Sequence, residues 1–270
     1  MNEVEQTARK AADSDAMTVG ARLGLSARAM IYLLMGGLAV AVAFGQSRSD
    51  TDQRGALREV AQQPGGKVLL VLLALGFAGY ALWRYSEAAL GVAGDGNGAG
   101  PRLKSLVRAL IYSSLAVSAV AVLTSSGGGE SQGAQQQGLT ASVMSHTGGR
   151  YLVGAVGLAV LVAGGVMVYE GATQAFEHYL DMAQASARTR TLVRRLGTVG
   201  TIARGLVIGL AGALVVQAAV TFSPDKARGL DGALKTLAAQ PYGKVLLVLA
   251  GLGLAVFGVY GFAEARWRKT

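Results

Sequence analysis

Residues 55–72 read GALREVAQQPGGKVLLVL and residues 232–249 read GALKTLAAQPYGKVLLVL, with thirteen of the eighteen paired positions identical. Such a repeat means that one supersecondary unit has been copied, and that each copy leaves an apolar face for its neighbours to cover. Both copies begin polar and end in KVLLVL, so the match runs from a loop into an apolar segment. The segment continues over 68–90 in one copy and 245–263 in the other. That is about the 20 residues a helix needs to cross roughly 30 Å of hydrocarbon.

Four more runs of this kind lie at 27–44, 106–123, 151–169 and 202–222. A backbone in the bilayer must satisfy its own hydrogen bonds, so runs of this length imply helices and not strands. Composition agrees, since 51% of the 270 residues are hydrophobic, only 15% are charged and 39 are glycine. Buried helices of a soluble protein are the alternative, but six such runs exceed what a soluble core of this size requires. The expected fold is all-α and polytopic, with six transmembrane helices.

The six runs pair into three copies. Odd runs open with Arg28-Ala-Met-Ile-Tyr32, Arg108-Ala-Leu-Ile-Tyr112 and Arg204-Gly-Leu-Val-Ile208, and even runs close on Glu87, Glu170 and Glu264, each 20 residues after Lys67, Arg150 and Lys244. One unit is therefore an odd run, an outer loop and an even run, and three units suit pseudo-threefold packing. This divides the chain into a cytoplasmic tail (1–22), a first repeat (23–91), a linker (92–101), a second repeat (102–171), a cytoplasmic amphipathic connection (172–196), and a third repeat with a basic C-terminus (197–270).

The outer loops differ. In 53–63 and 229–240, Ala56, Leu57 and Val60 and then Ala233, Leu234 and Leu237 take spacings that predict a short amphipathic surface helix. Pro64 and Pro241 mark its stop. The middle loop, SSGGGESQGAQQQG at 125–138, reads as a flexible stretch with no packing signal and with no fixed structure expected in its first half, and GVAGDGNGAG at 91–100 as a flexible linker. Phe176, Tyr179, Leu180 and Ala183 among polar residues suggest that the fourth helix continues as an amphipathic extension, ending in the basic run from Arg188 to Arg195.

Several function classes drop out. The chain has no cysteine, which removes disulfides, thiolate metal sites and cysteine nucleophiles. His146 and His178 fall in separate loops outside any ligand cluster, so neither a metal nor a cofactor is expected. No nucleophile, base and orienting residue assemble, and no phosphate-binding GxxxxGK[ST] loop occurs, so an enzyme is not expected. The first 20 residues mix both charge signs without an apolar core, unlike a cleaved signal peptide. With the N-terminus inside, 16 of the 25 lysines and arginines fall on the cytoplasmic side, which favours both termini in the cytoplasm. Topology and the anionic lipid headgroups of that leaflet account for the net charge of +9, and nucleic acid is not an expected partner.

Two-helix units opened by an arginine and closed by a glutamate resemble the bacterial integral membrane proteins grouped as domain of unknown function 1206. The resemblance covers roughly residues 23–267 as three tandem copies, and rests on the R-A-x-I-Y starts at Arg28 and Arg108, the GALR and GALK loops, and Glu87, Glu170 and Glu264. Copy three departs at Gly205 and Ile208, and copy two lacks the loop motif. The resemblance implies a multi-pass protein of the bacterial cytoplasmic (plasma) membrane and, since the family is uncharacterised, no activity.

Arg28, Glu87, Arg108, Glu170, Arg204 and Glu264 form the candidate intramembrane charge network, because each hairpin returns its glutamate to the end where its arginine lies. An ionisable group costs about 2.5–3.5 kcal/mol at mid-bilayer on insertion scales, so such groups pair or face a cavity. Pairing would lock the copies together, snorkelling would take the arginines to headgroups, and a ring of six would suit a gate. Two-helix repeats with a surface helix also describe mitochondrial carriers, but no odd run here contains the carriers' proline. Glycines at 154, 157, 164 and 165, at 205, 209 and 212, and at 258 and 261 predict close helix packing. Two functions follow: a non-enzymatic structural or accessory component with a protein partner in a membrane complex and a dry centre, or a small-solute or ion transporter or channel whose ring gates a wet one.

Overall fold

The structure, a computed structural model, describes residues 15–45, 51–62, 65–90, 98–124, 132–227 and 229–268. The tail over 1–14, Pro64, the linker over 91–97 and the first half of the middle loop lie outside the described residues. The described residues form nine α-helices: α1 (Asp15–Ala43), α2 (Gln53–Gln62), α3 (Gly66–Leu90), α4 (Ala99–Thr124), α5 (Gln132–Met144), α6 (Gly149–Ala172), α7 (Ala187–Thr221), α8 (Gly229–Ala238) and α9 (Gly243–Trp267). Six of them, α1, α3, α4, α6, α7 and α9, are long and apolar enough to cross a membrane. The fold is all-α, built from three two-helix repeats.

The repeats interlock head to tail. The second long helix of each repeat packs along the first long helix of the next: α3 on α4, α6 on α7, and α9 back on α1. Small residues make these seams tight. A Cβ on Gly164 of α6 would fall 2.5 Å from the Gly209 nitrogen of α7, and one on Gly258 of α9 would fall 2.8 Å from the Ala29 carbonyl oxygen of α1. Within repeats, α1 packs on α3 and α7 on α9, but α4 and α6 share no such interface. The equivalents of the Ala27–Gly76 contact in the first repeat and the Ala203–Gly253 contact in the third are Val107 and Ala159, and both are exposed. The pseudo-threefold ring is thus open at one seam, inside the middle repeat.

All three outer loops form a helix and a tight turn. The glycine before each repeat's Lys67, Arg150 or Lys244 has no room for a side chain, because the carbonyl of Val60, Val143 or Ala238 from the preceding short helix occupies the Cβ position. Gly65 and Gly148, with φ of 76° and 80°, make the turn in the first two copies. The middle loop therefore differs from its expected reading: its second half is helix α5, held by tertiary contacts. Met144 is buried against Val153 and Ala219, and Gln136 packs against Gly229 at the start of α8. In the first copy Asp52 caps α2, its Oδ1 accepting from the Gly55 nitrogen at 2.7 Å. Asp231 of α8 links the first and third copies by accepting from the Thr51 nitrogen at 3.0 Å.

The connection between the second and third repeats also differs. The fourth span is not extended: α6 ends at Ala172, Gln174 turns the chain with φ of 60°, and a 3-10 turn spans Ala175–Tyr179. Phe176 and Leu180 are buried, Phe176 lies edge-on to Tyr260 at 5.3 Å, and the Asp181 nitrogen donates to the Trp267 carbonyl at 2.7 Å. The apolar spacing thus anchors a turn to the end of α9. Ser186 then caps α7 by accepting from the Thr189 nitrogen at 3.2 Å, so the run Arg188–Arg195 belongs to a long α7.

Candidate functional site

Five of the six repeat charges lie where α1, α3, α4, α7 and α9 converge, towards the C-terminal ends of α3 and α9, and the sixth, Glu170, lies on α6. Arg28 of α1 donates through Nη2 to Glu264 Oε2 of α9, and Arg268 donates through Nη1 to Glu264 Oε1. One carboxylate thus holds two guanidiniums, and all three side chains are about nine-tenths buried. In the first repeat Glu87 pairs with Arg84, one helical turn away on the same helix. Arg84, with 1% of its side chain exposed, also donates to the Tyr80 hydroxyl through Nε at 3.0 Å and Nη2 at 2.6 Å. Ser105 of α4 donates to Glu87 at 3.0 Å.

Aromatic rings complete the cluster. The Arg84 guanidinium lies 4.3 Å from the Trp83 ring centroid, Arg268 lies 5.4 Å from the same ring, and Arg28 lies 5.6 Å from Phe257. Arg204 of α7 sits over Phe257 at 4.7 Å and over Tyr32 at 5.0 Å, and its buried Nε has no hydrogen-bond partner. Arg108 of α4 is exposed, and Glu170 of α6 is half-buried. Neither forms an ion pair among the described residues.

Of the six repeat charges, the structure brings Arg28 and Glu264 into direct contact, seats Glu87 on a different arginine, and turns Arg204 onto rings. The six do not close into one ring of pairs. Arg84, Arg268, Tyr80 and Trp83 were missed by sequence comparison of the copies, because each occurs once. The signal that would have found Arg84 is a lone arginine three residues before an acid inside an apolar run, a spacing that brings both onto one helix face. Such a pairing is what makes an arginine tolerable there.

Six membrane-spanning helices in three interlocked two-helix repeats, with arginine, glutamate and aromatic side chains gathered at one level, define a multi-pass membrane protein. The chain belongs to the family described as Domain of Unknown Function (DUF1206), whose model matches residues 23–91, 103–174 and 199–268. Among curated relatives, the uncharacterised protein YxxB of Bacillus subtilis (strain 168) is 32% identical over 256 residues, which cover 92% of either chain. No solved structure matches the chain.

Proposed function

We propose that this chain is a non-enzymatic structural or accessory component of the bacterial cytoplasmic membrane, with both termini cytoplasmic and a protein partner within a membrane complex. The observation that carries this reading is the Arg28–Glu264–Arg268 clasp. It joins the first copy to the last through two buried repeat charges. Close glycine packing at the α6–α7 and α9–α1 seams supports the same reading, since it favours a fixed bundle over sliding helices. The lysine and arginine bias supports a clasp on the cytoplasmic side, near anionic headgroups.

A second reading, a small-solute or ion transporter, is favoured by the bare Arg204 Nε and by Glu170, which has no ionic partner among the described residues. Glu170→Cys in this cysteine-free chain separates the two when a membrane-impermeant thiol reagent is applied from each side. The accessory reading expects no labelling from the outer face and no solute flux in liposomes. Outer-face labelling that disappears when the inner face opens, together with flux, would establish transport instead.

A further inference from the structure

Arg108 stands apart from the other arginines. Ser105, Ala109, Tyr112, Leu115 and Ala119 of α4 are all buried. Arg108 lies on the same helical face, three residues after Ser105 and four before Tyr112, yet it is exposed. Among the described residues no helix closes over it, because α6, which would cover this face in a complete ring, packs along α7 and not along α4. Lys104, four residues earlier on the same stripe, is exposed too.

The charge around Arg108 is one-sided. The charges that act on it most strongly are those of Arg84, Arg268 and Arg28, with the Tyr80 phenol opposing them. Among the described residues of the cluster, the five arginines 28, 84, 108, 204 and 268 face two glutamates, 87 and 264. Both carboxylates are already engaged by Arg84, Arg28 and Arg268. An excess of positive charge at membrane level is stabilised by an anion with several acceptor oxygens, which guanidinium groups bind in a fixed fork geometry. The opening faces sideways, and exposed Leu103, Val107, Leu110 and Ile111 flank Arg108 with apolar surface. That combination suits a ligand with a phosphate at one end and acyl chains at the other, and basic pockets between spans on the cytoplasmic side take such headgroups.

We propose that the open face of α4 at the seam with α6 binds an anionic phospholipid, its phosphate held by Arg108 and Lys104 and its acyl chains lying along Val107 and Ile111. The site is independent of whether the chain is an accessory component or a transporter.

The test is binding of phosphatidylglycerol to the purified full chain in detergent, followed by native mass spectrometry, with phosphatidylcholine as the uncharged comparison. The wild type retains phosphatidylglycerol in preference to phosphatidylcholine. Arg108→Gln weakens this binding about tenfold, the loss of one charge-assisted contact, and Arg108→Lys restores part of it. Arg195→Gln, on the exposed basic stretch of α7, leaves it unchanged. Because Arg108 is exposed and forms no ion pair among the described residues, its variants should fold, and a matching elution volume and helix content will show it. Equal retention of the two lipids, or the same loss in Arg195→Gln, would overturn the proposal. Displacement of phosphatidylglycerol by inorganic phosphate at comparable concentration would replace the lipid by a soluble anion, and so would also overturn it.

Discussion

At the scale of single residues, Glu264 carries more of the structure than any other charge, since its removal strands two buried guanidiniums. Leaving one partner of a buried pair uncompensated costs about 3–5 kcal/mol. Glu264→Gln is expected to destabilise the chain by that amount in denaturant unfolding in detergent. Arg28→Gln leaves Glu264 still engaged by Arg268 and should cost less, about 1–3 kcal/mol. Tyr80→Phe removes the acceptor of two Arg84 bonds and belongs in the same range, again read by unfolding. Arg108→Gln, exposed and without an acidic partner among the described residues, should stay within about 0.5 kcal/mol of wild type. Arg28 and Glu264 were legible in the sequence because recurrence at a fixed spacing set them apart. Arg84 and Arg268 were not, because a charge present in one copy only looks like an ordinary interfacial arginine until its partner is seen.

Helices and their seams follow a different logic, in which the absence of a side chain matters most. Gly164 and Gly165 are neighbours on α6, yet only Gly164 faces α7. A Cβ there would meet the Gly209 nitrogen at 2.5 Å, whereas one on Gly165 meets nothing within 4 Å. Gly164→Ala is therefore expected to destabilise by about 1–3 kcal/mol through overpacking. Gly165→Ala should stabilise by up to about 1 kcal/mol through helix propensity. Thermal unfolding of the two variants side by side checks both signs. The long helices and the short helices α2 and α8 could be read from apolar runs and spacing alone. Helix α5 could not, because its Gln- and Gly-rich start has no apolar stripe and its anchor, Met144, lies beyond the stretch that defines the loop. The glycine before Lys67, Arg150 and Lys244 is the signal that all three loops share a turn, and it recurs plainly in the sequence. The extension of α7 was misplaced onto the fourth span because amphipathic spacing in 176–183 also fits a buried turn, and only the positive φ at Gln174 and the Ser186 cap separate the two.

For the whole molecule, the three copies lock into a ring that is closed at five seams and open at the sixth. The repeat makes equivalent positions comparable, so the opening can be tested with paired cysteines in a chain that has none of its own. In the first copy a Cβ on Gly76 would lie 3.0 Å from the Ala27 Cβ, near enough to the 3.5–4.5 Å of a disulfide for slight relaxation to join them. Ala27→Cys/Gly76→Cys is expected to cross-link within one molecule under mild oxidation, seen as a shift in mobility that a reductant reverses. The equivalent pair in the middle copy, Val107→Cys/Ala159→Cys, sits on two exposed positions and should remain unlinked. If the middle pair linked as readily as the first, α4 and α6 would meet in the membrane, the ring would be complete, and Arg108 would lose the lateral opening through which a lipid phosphate reaches it. If the middle pair stayed open while the first closed, the asymmetry would belong to the folded chain. The one unpacked seam would then be the place where the environment, lipid or partner, completes what the third interface within a repeat leaves undone.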